Sequence, residues 1–359
     1  MTPPHPTLSP QGGEGFWRGP VVMSKLAGRP RRQSTFRILI FSIAPAALAA
    51  APAPPTLELP IACAPGRTCE VQHYVDHDPG PGAKDYRCGA QTYEAHNGLD
   101  IRLPDMAAQR QGVAVLAAAA GRVARVRDGV ADVSVRAAGA ASVERLECGN
   151  GVAIDHGGGW ETQYCHMAKG SIAVTAGQQV AVGARLGQVG LSGKTEYPHL
   201  HMTVRRDGRV VDPFAPDLAP GACGAPTSAS LWSARARTAL PYRPGAVLNL
   251  GFSGGPVTMA QVEAGDVGRP ALDSPYLVAY GRAIALVAGD VLEMRLTGPA
   301  GAVLAQARQP PMTQWRAQQL TYIGKKRPAA GWPAGVYIAE VRILRAGKPV
   351  ASRKTPLKF

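Results

Sequence analysis

Glycine and proline recur 42 and 32 times in the 359 residues, so the chain offers few uninterrupted helix-length stretches. Glycine leaves φ unrestricted and proline removes a backbone donor, so this pattern favours short strands joined by turns. From Ile61 to about Leu218 the apolar runs are brief and bounded by turn residues. Examples are Gly151-Val152-Ala153-Ile154-Asp155, Val180-Ala181-Val182 and His199 to Val204. Between Gly177 and Gly190 glycine returns at short intervals, which suits tight bends in a small barrel or sandwich. Residues 130–145 are Ala-rich and poorly periodic, and read as an insertion between two strands.

The expected fold is therefore all-β, and the length allows two domains with separate cores. Residues 61–218 form a compact antiparallel β-sheet unit of barrel-sandwich type. Residues 219–240 are a joint rich in Pro, Gly, Ala and Ser, and 241–359 form a second, immunoglobulin-like β-sandwich. In its last part, Gly335 to Arg345 alternates, turns at Ala346-Gly347-Lys348 and returns through Val350.

The start of the chain reads as a processing signal. Ile38 to Ala50 is apolar but shorter than the ~20 residues of a membrane span. Lys25, Arg29, Arg31, Arg32 and Arg37 precede it, and it ends in the small-residue triplet Ala47-Leu48-Ala49. Residues 23–49 are thus expected to be a secretory signal peptide, 1–22 a misassigned leader before Met23, and 50–60 a proline-rich linker. The mature chain would be exported, periplasmic or secreted, with no stable membrane span.

Removing residues 1–50 leaves about +9 of the formal +14 charge, suited to partners bearing carboxylates or phosphates. Nucleic acid is a poor match, because aromatics are 6% of the chain and the basic residues are scattered. Cys63, Cys69, Cys88, Cys148, Cys165 and Cys223 all follow the signal, an even count that reads as disulfides in an oxidising compartment. Cys148 and Cys165 flank a hairpin turning at Gly157-Gly158-Gly159, which favours that pair.

Three segments carry chemistry: His96-Asn97-Gly98-Leu99-Asp100, Gln163-Tyr164-Cys165-His166-Met167 and Pro198-His199-Leu200-His201-Met202. In a strand, residues two apart share a face, so His199 and His201 sit side by side with Leu200 behind them. Imidazoles repeated on a buried strand need a partner, and zinc accepts His nitrogen and Asp oxygen in tetrahedral geometry. His96 and Asp100 supply two ligands and one histidine of the H-x-H a third. The remaining two histidines are left for proton transfer or oxyanion binding.

These segments resemble the lysostaphin-type (LytM-like) zinc endopeptidases, which act on bacterial peptidoglycan. That family joins an H-x-x-x-D to a terminal H-x-H, with an apolar-Asp-His-Gly turn and a Tyr-x-His between them. Here the turn and the Tyr-x-His are Ile154-Asp155-His156-Gly157 and Tyr164-Cys165-His166. Gly177-Gln178 to Gly193 and Val211-Asp212-Pro213 are also similar, so the likeness covers about Tyr93 to Pro213. The resemblance implies that His96, Asp100 and His201 bind one zinc ion, that His166 and His199 are catalytic, and that the substrate is a peptidoglycan peptide.

Glu196-Tyr197 stand where the family commonly has small residues, and 130–147 is inserted, so the cleft wall is expected to differ. His156 and Asp212 read as structural turn residues. His73, Asp76, His77, Asp78 and Asp85 cluster in sequence, but Pro79-Gly80-Pro81-Gly82 puts them in a loop rather than on a helix face. Two other functions remain open: a non-catalytic regulator of another wall hydrolase, and a secreted endopeptidase acting on proteins.

Overall fold

The computed structural model describes residues 53–224 and 230–359. The leader and signal peptide expected over 1–49 lie outside the described residues. Among those residues no helix is long and apolar enough to cross a membrane.

The first half runs β1 (Glu70–His73), β2 (Leu99–Arg102), α1 (Met106–Arg110), β3 (Ala114–Leu116), β4 (Gly121–Arg127) and α2 (Val135–Ala138). It continues through β5 (Asn150–Gly157), β6 (Trp160–Met167), β7 (Gln179–Val180), β8 (Arg185–Gln188), β9 (His199–Arg206), β10 (Arg209–Val211) and α3 (Ala234–Ala239). The second half holds β11 (Ala246–Ser253), α4 (Met259–Ala264), β12 (Tyr276–Leu286), β13 (Val291–Thr297), β14 (Val303–Arg308), β15 (Arg316–Lys326), β16 (Val336–Arg345) and β17 (Lys348–Lys358).

The large sheet has the order β1-β2-β9-β6-β5-β4-β7, with β10 as a hairpin on β9, and every named pair is antiparallel. Strands β3 and β8 pair separately. Alternation along β9 turns Leu200, Met202 and Val204 into a core shared with Leu99, Ile101, Val152, Ile154 and Tyr164. The same alternation sends His199, His201 and Thr203 to the opposite face. The β5–β6 hairpin turns through Gly157, Gly158 and Gly159, all at positive φ, which glycine adopts without a Cβ clash.

The disulfides are Cys63–Cys69, Cys88–Cys223 and Cys148–Cys165, so the hairpin pairing read from the sequence is present. The 130–147 insertion separates β4 from β5 and carries the single turn α2. Its Arg136 pairs with Glu196 at 2.6 Å, drawing it against the approach to β9.

The second half is a sandwich of two sheets, β11-β12-β15 and β14-β13-β16-β17. Seven strands crossing between two sheets make the immunoglobulin-like arrangement expected. Leu277, Ala279, Leu292, Met294, Tyr337, Val341 and Ile343 fill its core.

Both segments read as linkers are packed where they are described. Leu57 is fully buried, and its backbone bonds to Leu231 and Ser233. Trp232 is buried in the first core and α3 follows it, capped by Ser233. Apolar anchors in a Pro/Ala-rich stretch outweigh its loop-like composition, because burying them offsets the ordering cost.

The two halves meet through buried polar groups. Glu263 of α4 lies 3.6 Å from Arg102 and 3.3 Å from Arg282, both of which are almost fully buried. Arg282 also donates to the Pro104 carbonyl and to Asn249, and Asn249 donates to Asp105 at 3.1 Å.

Candidate metal centre

Strand register builds the centre. Asp100 on β2 lies opposite His201 on β9, and Cys165 on β6 lies opposite His201 from the other side. Arg102 and His199 form the next pair, while Ile101 and Leu200 face the core between them. His96 enters from the loop before β2 and His166 from the end of β6. Gly98 lets that loop come close: a Cβ there would lie 2.6 Å from His201 Nε2.

His96, Asp100 and His201 are the one group among the described residues whose ligand atoms converge, and all three are buried. His96 Nε2 is 3.2 Å from His201 Nδ1 and 3.2 Å from Asp100 Oδ1, and His201 Nδ1 is 2.9 Å from Asp100 Oδ1. Tetrahedral donors on bonds of about 2.0 Å stand about 3.3 Å apart, so the spacing fits zinc.

Hydrogen bonds on the far sides of the rings set the tautomers. His96 Nδ1–H donates to the Tyr74 carbonyl at 2.6 Å, leaving a lone pair on Nε2. His201 Nε2–H has Asn97 Oδ1 at 3.0 Å and Thr203 Oγ1 at 3.1 Å, leaving its lone pair on Nδ1. In those tautomers His96 Nε2, His201 Nδ1 and Asp100 Oδ1 face one another as acceptors. A cation resolves that arrangement, and the outer bonds orient the ligands toward it.

His166 and His199 flank this group with ring centroids 4.7 Å apart. His199 Nδ1 faces the Tyr197 carbonyl at 3.0 Å and Thr195 Oγ1 at 3.1 Å, while its Nε2 lies 3.4 Å from Asp100 Oδ1. His166 Nδ1–H donates to the Ser192 carbonyl at 2.8 Å. His166 holds a φ of 60°, a region costly for a residue with a Cβ. Its N–H donates to the Cys148 carbonyl and its own carbonyl accepts from Gly190, so the Cys148–Cys165 disulfide braces this turn.

Burial, together with the nearby His199 and His201, holds His166 well below the ordinary imidazole range, so it is neutral. For Asp100 burial pushes upward, but the surrounding histidines more than offset it and hold the carboxyl well below its usual range.

All five residues singled out in the sequence thus gather at one end of the sheet. The second acidic and histidine cluster does not gather. His73 bonds to Asp100 Oδ2 at 3.0 Å, His77 to Asp212 at 2.9 Å, and Asp85 caps the backbone of Arg87, Gly89 and Gln91. Asp212 accepts from the Phe214 N–H as well, and His156 bridges the Ala120 carbonyl and Thr162.

Sequence reading passed over Asn97, Thr195, Ser192 and Thr203. Only Thr203 had a visible signal, as the next same-face position after His199 and His201. Tyr197, read from the sequence as part of an altered cleft wall, has its ring 5.0 Å from that of His199 and carries the Arg102 guanidinium 3.9 Å from its centroid.

Residues 94–213 match the model of peptidase family M23. Cell division protein DipM of Caulobacter vibrioides is 31% identical over 125 residues, 35% of this chain and 17% of that protein. Peptidoglycan DD-endopeptidase ShyA of Vibrio cholerae is 42% identical over 64 residues, 18% of this chain and 14% of that one. DD-carboxypeptidase/endopeptidase Mpg of Neisseria meningitidis is 33% identical over 124 residues, 34% and 23% respectively. The chain thus spans 14–23% of the length of these relatives. A solved zinc-containing peptidase from Vibrio cholerae aligns over 41% of this chain and 40% of its own, with 26% identity and a TM-score of 0.27.

Proposed function

Since residues 94–213 are a peptidase family M23 domain, we propose that this chain is an exported zinc endopeptidase that cuts peptide cross-links in bacterial peptidoglycan. The observation that carries the reading is the convergence of His96, Asp100 and His201 lone pairs beside two further buried histidines. The name of ShyA supports a peptidoglycan substrate, and that of Mpg an endopeptidase activity. Three disulfides and a basic mature chain support an extracytoplasmic location.

His96 Nε2, Asp100 Oδ1 and His201 Nδ1 would hold the zinc ion. When bound, zinc supplies Lewis-acid chemistry, polarising a carbonyl and lowering the pKa of water to ~7. The chain's own part is proton management and orientation. His166 and His199 each commit Nδ1 to a fixed acceptor, which leaves Nε2 to act in the cleft. One accepts a proton as the water oxygen bonds to the peptide carbonyl carbon. As the C–N bond breaks, the same histidine passes that proton to the leaving nitrogen, and the other, in its imidazolium form, donates from Nε2 to the developing oxyanion.

The test is to incubate the chain from residue 50 onward with intact peptidoglycan, with and without a zinc chelator, and to identify products by mass spectrometry. New amino and carboxyl ends within the peptide bridges, abolished by chelator and restored by zinc, are expected. His166→Ala should keep its zinc and lose about 10²–10⁴-fold in activity. Full activity in that variant would remove His166 from the reaction. Cleavage of proteins but not of peptidoglycan would make the chain a protein endopeptidase, and zinc binding without any cleavage would make it a regulator.

A further inference from the structure

We propose that His73 is a positioning residue for the metal site, holding the outer oxygen of Asp100 so that the carboxylate presents only Oδ1 to the ion. The proposal rests on the zinc-site reading above, and it adds a residue from outside the matched 94–213 segment.

The argument begins with the two oxygens of Asp100. Oδ1 faces His96, His201 and His199 at 3.2, 2.9 and 3.4 Å, which makes it the oxygen on the metal side. Oδ2 points the other way and receives His73 Nδ1–H at 3.0 Å. Asp100 is 2% exposed, so water cannot readily take over at Oδ2. Without His73, a buried carboxylate oxygen would lose its charge-assisted bond, and the carboxyl could rotate toward two-oxygen binding. A tetrahedral site with two histidines needs one oxygen from Asp100 and one open position.

The fold delivers His73 to this place by pairing rather than by chance contact. It ends β1 directly opposite Asp100, just after a register shift that follows Val71. Its ring is then gripped from several sides. Tyr93 and His96 meet it edge-on at 5.2 and 5.8 Å, and Trp315 of the C-terminal sandwich lies tilted beside it at 6.5 Å. The Tyr197 hydroxyl sits 3.4 Å from Nδ1. His73 is outside the converging ligand group, so its own role is orientation.

The test is zinc affinity in the full chain, measured by competition with a chromophoric chelator, together with the absorption spectrum of the cobalt-substituted protein. His73→Leu keeps bulk but removes the donor, and should weaken zinc binding about 10–100-fold and alter the cobalt spectrum. His73→Asn places an amide N–H near the position of Nδ1, and should restore affinity to within about threefold of the parent by the same criterion. Should the leucine variant fail to fold, His73→Ala against His73→Asn reads the same difference. Unchanged zinc affinity and cobalt spectrum in the leucine or alanine variant would overturn the proposal. Equal weakening in the asparagine and leucine variants would overturn it as well, because the loss would then come from packing. A parent chain that binds zinc but cuts no peptidoglycan would sink the proposed function and leave this inference standing.

Discussion

In the C-terminal sandwich, Arg345 meets Asp290 through Nε at 2.8 Å and Nη2 at 2.9 Å; Asp290 also accepts from the Val287 N–H, and Arg345 Nη2 also donates to the Pro244 carbonyl. At the end of the large sheet the side chains are more deeply buried, and there the ligand atoms of His96, Asp100 and His201 converge on one another. Both regions remove polar atoms from water. The difference lies in what the partners are: paired donor and acceptor groups such as Arg345–Asp290 hold the fold, while a cluster of converging acceptor atoms suits a cation. The junction between the halves falls between these cases, with one Glu263 serving both Arg102 and Arg282.

This contrast can be broken experimentally, beginning with the largest effect. His199→Ala should lower kcat/KM by about 10²–10⁴-fold with zinc content and melting temperature little changed. Asp290→Ala should do the reverse, and a single panel of kinetics, metal analysis and thermal melts separates the two.

Glu263→Ala should cost about 3 kcal/mol in urea unfolding, because two buried guanidinium groups lose their shared carboxylate. Burial and the nearby Arg102 already pull Arg282 down to about 9, a sign that one carboxylate barely suffices. An unchanged unfolding midpoint would show that the junction is not held electrostatically.

The paired change Cys148→Ser with Cys165→Ser opens a loop of 17 residues and should cost about 3 kcal/mol. It should also depress activity more than stability alone explains, since the turn carrying His166 leans on the Cys148 carbonyl. Activity unchanged at a temperature where the variant stays folded would separate the disulfide from the site.

The smallest effect belongs to Glu70, where the halves meet near Arg243 and Arg353. Burial raises its carboxyl to about 7 despite both arginines. The folded chain then keeps a proton that the unfolded chain releases, so stability falls as pH rises from about 4.5 through 7. Glu70→Gln should melt higher than the parent at pH 8 and alike at pH 4; a constant difference across that range would contradict the shift.

The site was legible because its chemistry is written in short local patterns. His199 and His201 share a face through the two-residue strand period, and His96 with Asp100 flank the close approach that Gly98 permits. The β-rich class was legible from glycine and proline spacing, and the Cys148–Cys165 pair from the hairpin between them. Long-range pairing was not legible. Nothing in its local spacing opposes His73 to Asp100, because that depends on which strand β1 joins and on a register shift. The same is true of Trp315, which reaches the site from the other half of the chain, and of Leu57 and Trp232, apolar anchors hidden in linker-like composition.

The most direct test is zinc-edge anomalous diffraction from crystals of the zinc-loaded chain. One strong peak among His96, Asp100 and His201, with His73 still bonded to Asp100 Oδ2, is the expected result. A peak at His77 and Asp212, or none at the end of the sheet, would contradict the account.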